Sequence, residues 1–580
     1  MKPFLFAHSD ASPRGSSVLA LVLCAFASAS ACSKVEAPTR SAAAESASVK
    51  RIRQVFARVP ETLAKNHKTF VVPDGTVTGF GAGDAYPQIW LRDSAWIVPA
   101  AAAYYDGATL TSWLDLHLAA AQKNGRLRDW VAPGTPDVFR EWAPRVAALG
   151  ALSVDTNSNE SDQEPSAALA WCRAREALST SATADPADAG RVRRLIQAMD
   201  ALLRDRTDRA TGLVWSGLTA DWGDVSPLYP DQRAIYLDEK TPRTLSLYTN
   251  VMATAALECL APLALEPGDK QRLARRAAQL RASIDAHFWM KERGFFRIRK
   301  SLDPLPSEAF GRGEDDRFAL GGNALAALLG IANEAQAASM FETAERLRVL
   351  NNFSTISTTL IPPYEEGVFQ HPAMREPFQY QNGGQWDWFG ALLVQAEFER
   401  GHSVRARAHL DQIVARILRA GPGIHEWYAQ DGSPKGSGAY AATAAVLHNA
   451  IVRGLLGVSS SDEGYRVAIR TGETLLPMEV PQRAAGTRLV VSQAVSSSAI
   501  DVLVSGTARV AEVCSLLPRG RAPADPSRVD AGPPRRVLEI GSDTLLCADV
   551  SASTPPFRVS FRLRPLAASD GHRADDVSSK

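Results

Sequence analysis

The sequence predicts a mainly α-helical fold, an (α/α)6 barrel followed by a small all-β domain. Three observations predict it. Helical patterns fill residues 48–458, and their connections alternate between tight links, such as Tyr105-Asp106-Gly107, and long aromatic-rich links, such as 207–243. Beyond residue 458 the pattern changes to short apolar runs between turns. Alternating links are typical of six helical hairpins closed into a ring, whose long loops would lie on one face and form the functional site.

The N-terminal segment is predicted to be an export signal that precedes the fold. Basic residues come before the apolar run 18–26, which is too short to span a bilayer. Ala29-Ser30-Ala31-Cys32 resembles a bacterial lipobox, although Ala29 stands where Leu is usual. We therefore predict a signal peptide over 1–32, lipidation of Cys32, a flexible tether over 33–47 and a place in the bacterial cell envelope, with plain cleaved secretion as the alternative.

The next segment, 48–458, is predicted to be the helical domain. Several of its helices are rich in Ala and Leu, which suits close helix packing. We predict helices near 48–64, 92–105, 107–123, 163–178, 187–206, 244–263, 267–288, 320–331, 334–346, 384–400, 402–419 and 438–456.

The C-terminal segment, 459–566, is predicted to be a β-sandwich-like accessory domain, and the polar tail 567–580 is predicted to be disordered. Expected strands are 465–469, 488–495, 499–505, 510–516, 537–540 and 557–563.

Four cysteines of the predicted domains fall into two pairs with different surroundings. Cys514 and Cys547 lie in strand-like apolar runs and could pair as a disulfide in an oxidising compartment. Cys172 and Cys259 lie on helical patterns and are predicted to be buried thiols.

Composition and charge exclude several function classes. The formal net charge is +1, so nothing favours nucleic acid, and the membrane is expected as a partner only through the lipid anchor. No Gly-rich phosphate loop follows a strand, and the histidines show no metal spacing. The run from Asp155 to Glu160 begins like a calcium loop, but Glu160 stands where Gly is expected and Ser166 where a bidentate Glu is expected. No metal or other cofactor is predicted.

Two loops combine carboxylates with aromatic rings. One contains Asp221-Trp222-Gly223-Asp224, and the other contains Glu426-Trp427-Tyr428 followed by a Gly-rich turn. Flat rings stack against sugar C–H groups, and glycosidic bond hydrolysis needs one carboxylic acid to protonate the leaving oxygen and a second carboxylate. The pair of loops therefore points to an oligosaccharide or glycoside substrate.

These motifs resemble those of the six-hairpin glycosidases, which include neutral invertases, trehalases, processing α-glucosidase I and mannosylglycerate hydrolase. Ala220-Asp221-Trp222-Gly223-Asp224 before Ser226-Pro227 is similar to their general-acid region. Tyr380-Gln381-Asn382-Gly383-Gly384-Gln385-Trp386 resembles the "NGG-x-W" segment of the invertases, and Glu426-Trp427-Tyr428 resembles the general-base motif. The resemblance covers about 48–458 and implies a glycosidase that cleaves a terminal bond with inversion.

The resemblance assigns the base to Glu426 and leaves two aspartates for the acid. Asp224 is favoured, because the acid of these families stands shortly before Ser-Pro or Ser-Ser. Asp221 is the rival, and whichever aspartate is not the acid would be a turn residue or a helix cap. Burial against Trp222 would raise the pKa of the acid in the required direction.

Further residues are predicted to bind the sugar. Trp90-Leu91-Arg92-Asp93 resembles a "W-x-R-D" segment that binds the terminal sugar in related barrels, but Asp93 could equally be a helix N-cap. Trp386-Asp387-Trp388 is either a subsite wall or helix packing. The remaining predicted contacts are Asn157, Glu160, Trp222, Asn382, Trp427 and Tyr440.

Two other functions remain open from the sequence. A polysaccharide lyase is possible because α/α toroids also catalyse β-elimination, but the chain shows no basic cleft for a uronate. A carbohydrate-binding lipoprotein without catalysis would keep the tryptophans and need neither carboxylate as a proton donor.

Overall fold

The computed structural model describes residues 45–72, 75–178, 186–461, 463–482, 487–524, 535–551 and 553–566. The predicted export signal with Cys32, most of the predicted tether and the predicted disordered tail lie outside the described residues. Within these ranges, no helix has the length and apolar character needed to cross a membrane.

The helices occupy the predicted part of the chain. They are α1 Ala47–Phe56, α2 Val59–Asn66, α3 Leu91–Ala101, α4 Gly107–Ala119, α5 Gln163–Leu178, α6 Pro186–Arg206, α7 Leu247–Leu263, α8 Pro267–Phe288, α9 Glu308–Gly311, α10 Leu320–Leu328, α11 Glu334–Leu350, α12 Asp387–Glu399, α13 Ser403–Arg419 and α14 Ala441–Asn449.

Helices 163–178 and 267–288 lie where the sequence predicts them. The predicted helix 48–64 is wrong as a single element, because Pro60 lies in the first turn of α2, where a missing backbone N–H is tolerated, and the chain breaks before it. The predicted helix 244–263 starts three residues late, because its first residues form a strand, and α14 continues as a π-helical turn, Ala450–Leu455.

Six helices form a closed ring. In chain order α3, α5, α7, α10, α12 and α14 each pack against the next, and α14 packs against α3. Twelve consecutive residues of α12, 387–398, are buried, because this helix has protein on every side. The α8 helix, which packs outside α7, buries only a stripe at helical spacing: Leu273, Ala277, Leu280, Ile284 and Phe288.

The ring helices run in one direction. Arg92 in the first turn of α3 bonds to Asp162, which directly precedes α5, and Tyr440, which directly precedes α14, bonds to Asp93. The N-terminal ends therefore meet on one face, which receives the long loops. Short links such as 400–402 follow the C-terminal ends on the other face.

Short strands form small sheets in the helical part. They are β1 His67–Val72, β2 Gly75–Phe80, β3 Ile89–Trp90, β4 Trp130–Pro133, β5 Ala147–Leu149, β6 Leu152–Asp155, β7 Trp215–Gly217, β8 Arg243–Ser246, β9 Trp289–Met290, β10 Phe295–Phe296, β11 Arg299–Ser301, β12 Phe318–Ala319, β13 Leu360–Ile361, β14 Trp427–Tyr428 and β15 Pro434–Lys435.

The C-terminal region is rich in β-sheet, as predicted. Its strands are β16 Ser459–Ser461, β17 Gly464–Ile469, β18 Leu475–Val480, β19 Leu489–Val495, β20 Ala499–Gly506, β21 Val510–Leu516, β22 Arg521–Pro523, β23 Arg535–Ile540, β24 Asp543–Asp549 and β25 Phe557–Pro565. They form two five-stranded sheets, ordered β16-β17-β21-β24-β23 and β18-β19-β20-β25-β22. Alternate residues of β20, Ile500, Val502 and Val504, are buried in the core shared with the ring.

Two disulfides cross-link the chain. Cys514 and Cys547 lie opposite each other on β21 and β24 and form a disulfide, a pairing that the sequence left open. Cys172 on α5 and Cys259 on α7 also pair, with Cα atoms 6.4 Å apart, so the prediction of buried thiols is wrong. The helical pattern alone did not show that these two faces meet across neighbouring helices of the ring.

Candidate active site

Arg92 connects two of the long loops at the N-terminal face of the ring. Its Nε donates to Asp162 Oδ2 at 2.7 Å, and its Nη1 donates to Asp224 Oδ1 at 2.7 Å. Its Nη2 lies 2.5 Å from Glu160 Oε2. The guanidinium is buried, so the three acidic side chains offset the cost of removing its charge from water. Arg92 thereby fixes the position of Asp224 relative to α3.

Asp224 is held from several sides and still reaches solvent, with 29% of its side chain exposed. Tyr380 donates its hydroxyl to Asp224 Oδ2 at 3.0 Å, and Gln381 donates its side-chain amide to the same oxygen at 2.8 Å. Burial favours a raised pKa for Asp224, but the charge of Arg92 and hydrogen bonds from Glu160 and Gln381 outweigh it and hold this pKa below 3.8.

Glu160 is a second buried carboxyl group beside Asp224. Burial raises the pKa of Glu160 well above its usual range, although the charge of Arg92 opposes the rise. A hydrogen bond from Glu160 contributes to the lowered pKa of Asp224. The charges of Asp162 and Asp224 add to the rise in the pKa of Glu160. Asn157 supports this arrangement by donating to Glu160 Oε1 at 3.1 Å and to the backbone oxygen of Asp224 at 2.8 Å.

Glu426, in the loop that precedes α14, is buried, with 3% of its surface exposed. Its Oε2 accepts from the Tyr86 hydroxyl at 2.8 Å and from the Ser437 backbone N–H at 2.9 Å. Burial raises the pKa of Glu426 to about 7, the two hydrogen bonds oppose the rise, and the charges of Asp93 and Asp224 add to it.

The glycines of both motifs make room for these side chains. Gly436 has φ +68°, and a Cβ at this position would overlap the carboxylate of Glu426. A Cβ at Gly384 would overlap the backbone oxygen of Tyr380 and would lie 3.1 Å from the Trp427 ring. The Gly-rich pattern is thus explained by close approach to Glu426 and Tyr380.

Aromatic rings connect the surroundings of Asp224 to those of Glu426. The Tyr380 ring lies 6.0 Å from the Trp427 ring and 5.3 Å from the Trp386 ring. Trp386 in turn lies 6.2 Å from Tyr440. Since Tyr380 bonds to Asp224 and Trp427 follows Glu426, the two carboxylates belong to one aromatic-walled site.

Asp93 faces this site and is not an N-cap. The N-cap position of α3 is Trp90, and Asp93 Oδ1 accepts from the Tyr440 hydroxyl at 2.9 Å. Burial raises the pKa of Asp93 to about 6, while the hydrogen bond from Tyr440 and the charge of Arg92 oppose the rise.

Asp221 lies three residues from Asp224 and has different partners. Its Oδ2 accepts from the backbone N–H of Gly322 at 3.1 Å, in the first turn of α10. A carboxylate at a helix N-terminus interacts favourably with the helix dipole. Burial raises the pKa of Asp221 to about 7, against the bonds from Gly322 and Gly321. Its geometry is that of a cap for α10 supplied by another segment.

Other predicted contact residues have structural partners. Asn382 donates to the backbone oxygens of Tyr364 and Met374 at 3.1 Å, and its Oδ1 accepts from the Tyr364 N–H at 2.8 Å. Asp387 forms a buried ion pair with Arg416. Both side chains hold loops behind the site.

Three predicted tryptophans pack mainly against other rings. Trp222 is 4% exposed and lies 4.8 Å from Trp386, and Trp388 is 1% exposed. Trp90 is partly exposed and packs on Trp130 at 5.9 Å.

Four residues of this site were not among the predicted site residues: Tyr86, Asp162, Tyr380 and Gln381. Tyr380 and Gln381 directly precede the "NGG" glycines, which was an available signal. Tyr86 and Asp162 stand in no recognised motif, and their partners Glu426 and Arg92 are 340 and 70 positions away.

Comparison with known proteins gives a family match and similar folds. Residues 86–443 match the model of the mannosylglycerate hydrolase MGH1-like glycoside hydrolase domain. The structure of the GH63 mannosylglycerate hydrolase from Thermus thermophilus in complex with Tris is similar to this chain, with a TM-score of 0.50 and 16% sequence identity. The match covers 68% of this chain and 99% of the hydrolase chain. The GH78 family rhamnosidase of Bacillus sp. GL1 is also similar, with a TM-score of 0.50 and 16% sequence identity. That match covers 77% of this chain and 39% of the rhamnosidase chain. No curated protein sequence gives a significant match.

Proposed function

The chain belongs to the mannosylglycerate hydrolase MGH1-like glycoside hydrolase family, among the six-hairpin glycosidases, and we propose that this glycosidase cleaves a terminal glycosidic bond with inversion. We infer that the closed ring and its outer helices form an (α/α)6 barrel. Family membership favours a glycosidase over the polysaccharide lyase and the non-catalytic carbohydrate-binding lipoprotein. The reaction takes place on the N-terminal face of the ring.

The observation that carries this proposal is the placement of Asp224 and Glu426 in one aromatic-walled site. Asp224 is the general acid, and Glu426 is the general base. Asp221 is not given the acid role, because its carboxylate caps α10. Arg92, Asp93 and the ring of Trp427 are the proposed sugar contacts, because they surround the two carboxylates.

The proposed step conserves protons. Glu426 accepts a proton from water while the water oxygen bonds to the anomeric carbon, and the bond from that carbon to the leaving oxygen breaks. Asp224 passes a proton, which we propose that it shares with Glu160, to the leaving oxygen. The low pKa of Asp224 alone would not suit an acid, so the shared proton is essential. Glu426 then releases its proton to solvent, and Asp224 and Glu160 take up one proton from solvent.

Screening aryl glycosides and disaccharides identifies a substrate, and substitution of each carboxylate then tests the roles. We expect Asp224→Asn and Glu426→Gln each to lower kcat by about 10²–10⁴-fold with unchanged circular dichroism. Asp431→Asn, at an exposed position in the same loop as Glu426, is the matched control and is expected to keep wild-type kcat.

Proton NMR of the first product reports the anomer. A product with inverted configuration supports the mechanism, and retention contradicts it. Full activity in a folded Asp224→Asn or Glu426→Gln variant would remove the role assigned to that residue.

We also propose that the enzyme is exported and held in the cell envelope by a lipid on Cys32. Two disulfides, Cys172–Cys259 and Cys514–Cys547, support an oxidising compartment. The enzyme would then encounter its glycoside substrate outside the cytoplasm.

A further inference from the structure

A second cavity, of about 230 Å³, lies at the end of the ring away from Asp224 and Glu426. The C-terminal parts of α3, α10 and α12 contribute to its wall, whereas the active-site residues stand at the N-terminal ends of the ring helices. Arg173 from α5, Arg453 from the turn after α14 and Arg470 at the end of β17 also line it. The cavity thus lies between the ring and the C-terminal β-region.

The positive charge of this cavity is only partly neutralised. Arg173 and Arg453 lie 3.6 and 3.8 Å from the same oxygen of Glu176, a side chain that is 58% exposed. In the described part of the chain, no carboxylate lies within 4.0 Å of the Arg470 guanidinium. Glu399 is the carboxylate among the lining residues, and it accepts from Gln395 at 2.8 Å. Three guanidiniums therefore face two carboxylates, Glu399 in the cavity wall and the exposed Glu176 beside it.

Three further observations favour an anion in this cavity. The Nε1 of Trp96, another lining residue, is buried without a hydrogen-bond partner among the described residues. Burial lowers the pKa of Arg173, and repulsion by Arg453 lowers it further. Burial also lowers the pKa of Arg470, against the charges of Glu399 and Asp543. An anion in the cavity would relieve the repulsion between the arginines.

We propose that this cavity binds a small oxyanion with two negative charges, of the phosphate, sulfate or dicarboxylate class, between Arg173, Arg453 and Arg470. Planar guanidiniums bind tetrahedral and carboxylate oxyanions through paired N–H donors. Because the three arginines come from the ring and from the β-region, the bound anion would join the two parts. The site is separate from the proposed function, since none of these arginines contacts Asp224 or Glu426.

The test measures thermal unfolding of the full mature chain in inorganic phosphate, sulfate or succinate, against chloride at equal ionic strength. We expect at least one of the three dianions to raise Tm by about 2 °C or more, with the rise increasing with the logarithm of its concentration. Comparing the three separates an inorganic oxyanion from a dicarboxylate. Titration calorimetry with the most effective dianion gives its Kd.

Two substitutions with opposite effects keep the test decisive. Arg470→Gln is expected to weaken the binding by about tenfold or more, because one charged donor is lost. Glu399→Gln removes the opposing charge and is expected to tighten it, and Arg346→Gln, on the exposed face of α11, is the control and leaves Kd unchanged. Equal Tm values in chloride and all three dianions would overturn the proposal. Unchanged Kd in Glu399→Gln would also overturn it, even if Arg470→Gln did not fold.

Discussion

Replacement of Tyr86 by Phe tests the link between Glu426 and the pH dependence of activity. The Tyr86 hydroxyl donates one of the two hydrogen bonds that stabilise ionised Glu426. A hydrogen bond to a charged group contributes about 1.5–3 kcal/mol, and one to a neutral group about 1 kcal/mol. The difference of about 0.5–2 kcal/mol corresponds to about 0.4–1.5 pKa units, with a central value of about one unit. The pKa of Glu426, about 7 in the wild type, is therefore expected to rise to about 8 in Tyr86→Phe.

The sign of the effect on activity follows from the role of a base. In its proposed role as base, Glu426 must be ionised to accept a proton from water, so kcat/KM is expected to rise as the pH increases through its pKa. In Tyr86→Phe the acid limb is expected to move upward by about one unit, which makes the variant about tenfold slower at pH 6 and nearly as fast as wild type at pH 9.

The assay is kcat/KM between pH 5 and 9 for both proteins, on one glycoside that the screen identifies. An acid limb that does not move, or that moves downward, would refute the assignment of that limb to Glu426. A loss of the same factor at every pH would show that Tyr86 acts on substrate binding instead.

The remaining predictions concern Asp221 and the N-terminus. Asp221→Asn is expected to keep kcat/KM close to wild type, because an amide oxygen can accept the bond from Gly322 N–H; a loss as large as that of Asp224→Asn would move the acid role to Asp221. Cys32→Ser is expected to move the protein from the membrane fraction to the soluble fraction on cell fractionation. Unchanged membrane association of this variant would contradict lipidation at Cys32.

Helical periodicity was sufficient for the positions of most ring helices, because most of them begin and end near Gly, Pro or loop residues visible in the sequence. The single helix predicted over 48–64 was wrong. In the sequence, Pro60 fits either a helix that continues through it or the first turn of a new helix, and the structure has the new helix. Strands as short as β8 were missed, because two to four residues carry too little alternation.

The motifs located the two carboxylate loops but not the roles of neighbouring side chains. Asp221 and Asp224 stand in the same segment, and only the fold shows that one faces α10 and the other faces Arg92. Asn382 and Asp387 also stand in the recognised motifs, but their side chains hold loops behind the site. Tyr86 could not be identified, because nothing in the sequence indicates contact between positions 340 residues apart.

The hydrogen bond from Tyr86 to Glu426 has a consequence for folding. It connects a residue that precedes the first ring helix with one that precedes the last, so it forms only once α14 has docked on α3. Contacts between such distant positions carry a large loop-closure entropy and form slowly. After dilution from denaturant, enzymatic activity should therefore return more slowly than the far-ultraviolet circular dichroism signal of the helices. The time course of activity would then report the docking of α14 on α3.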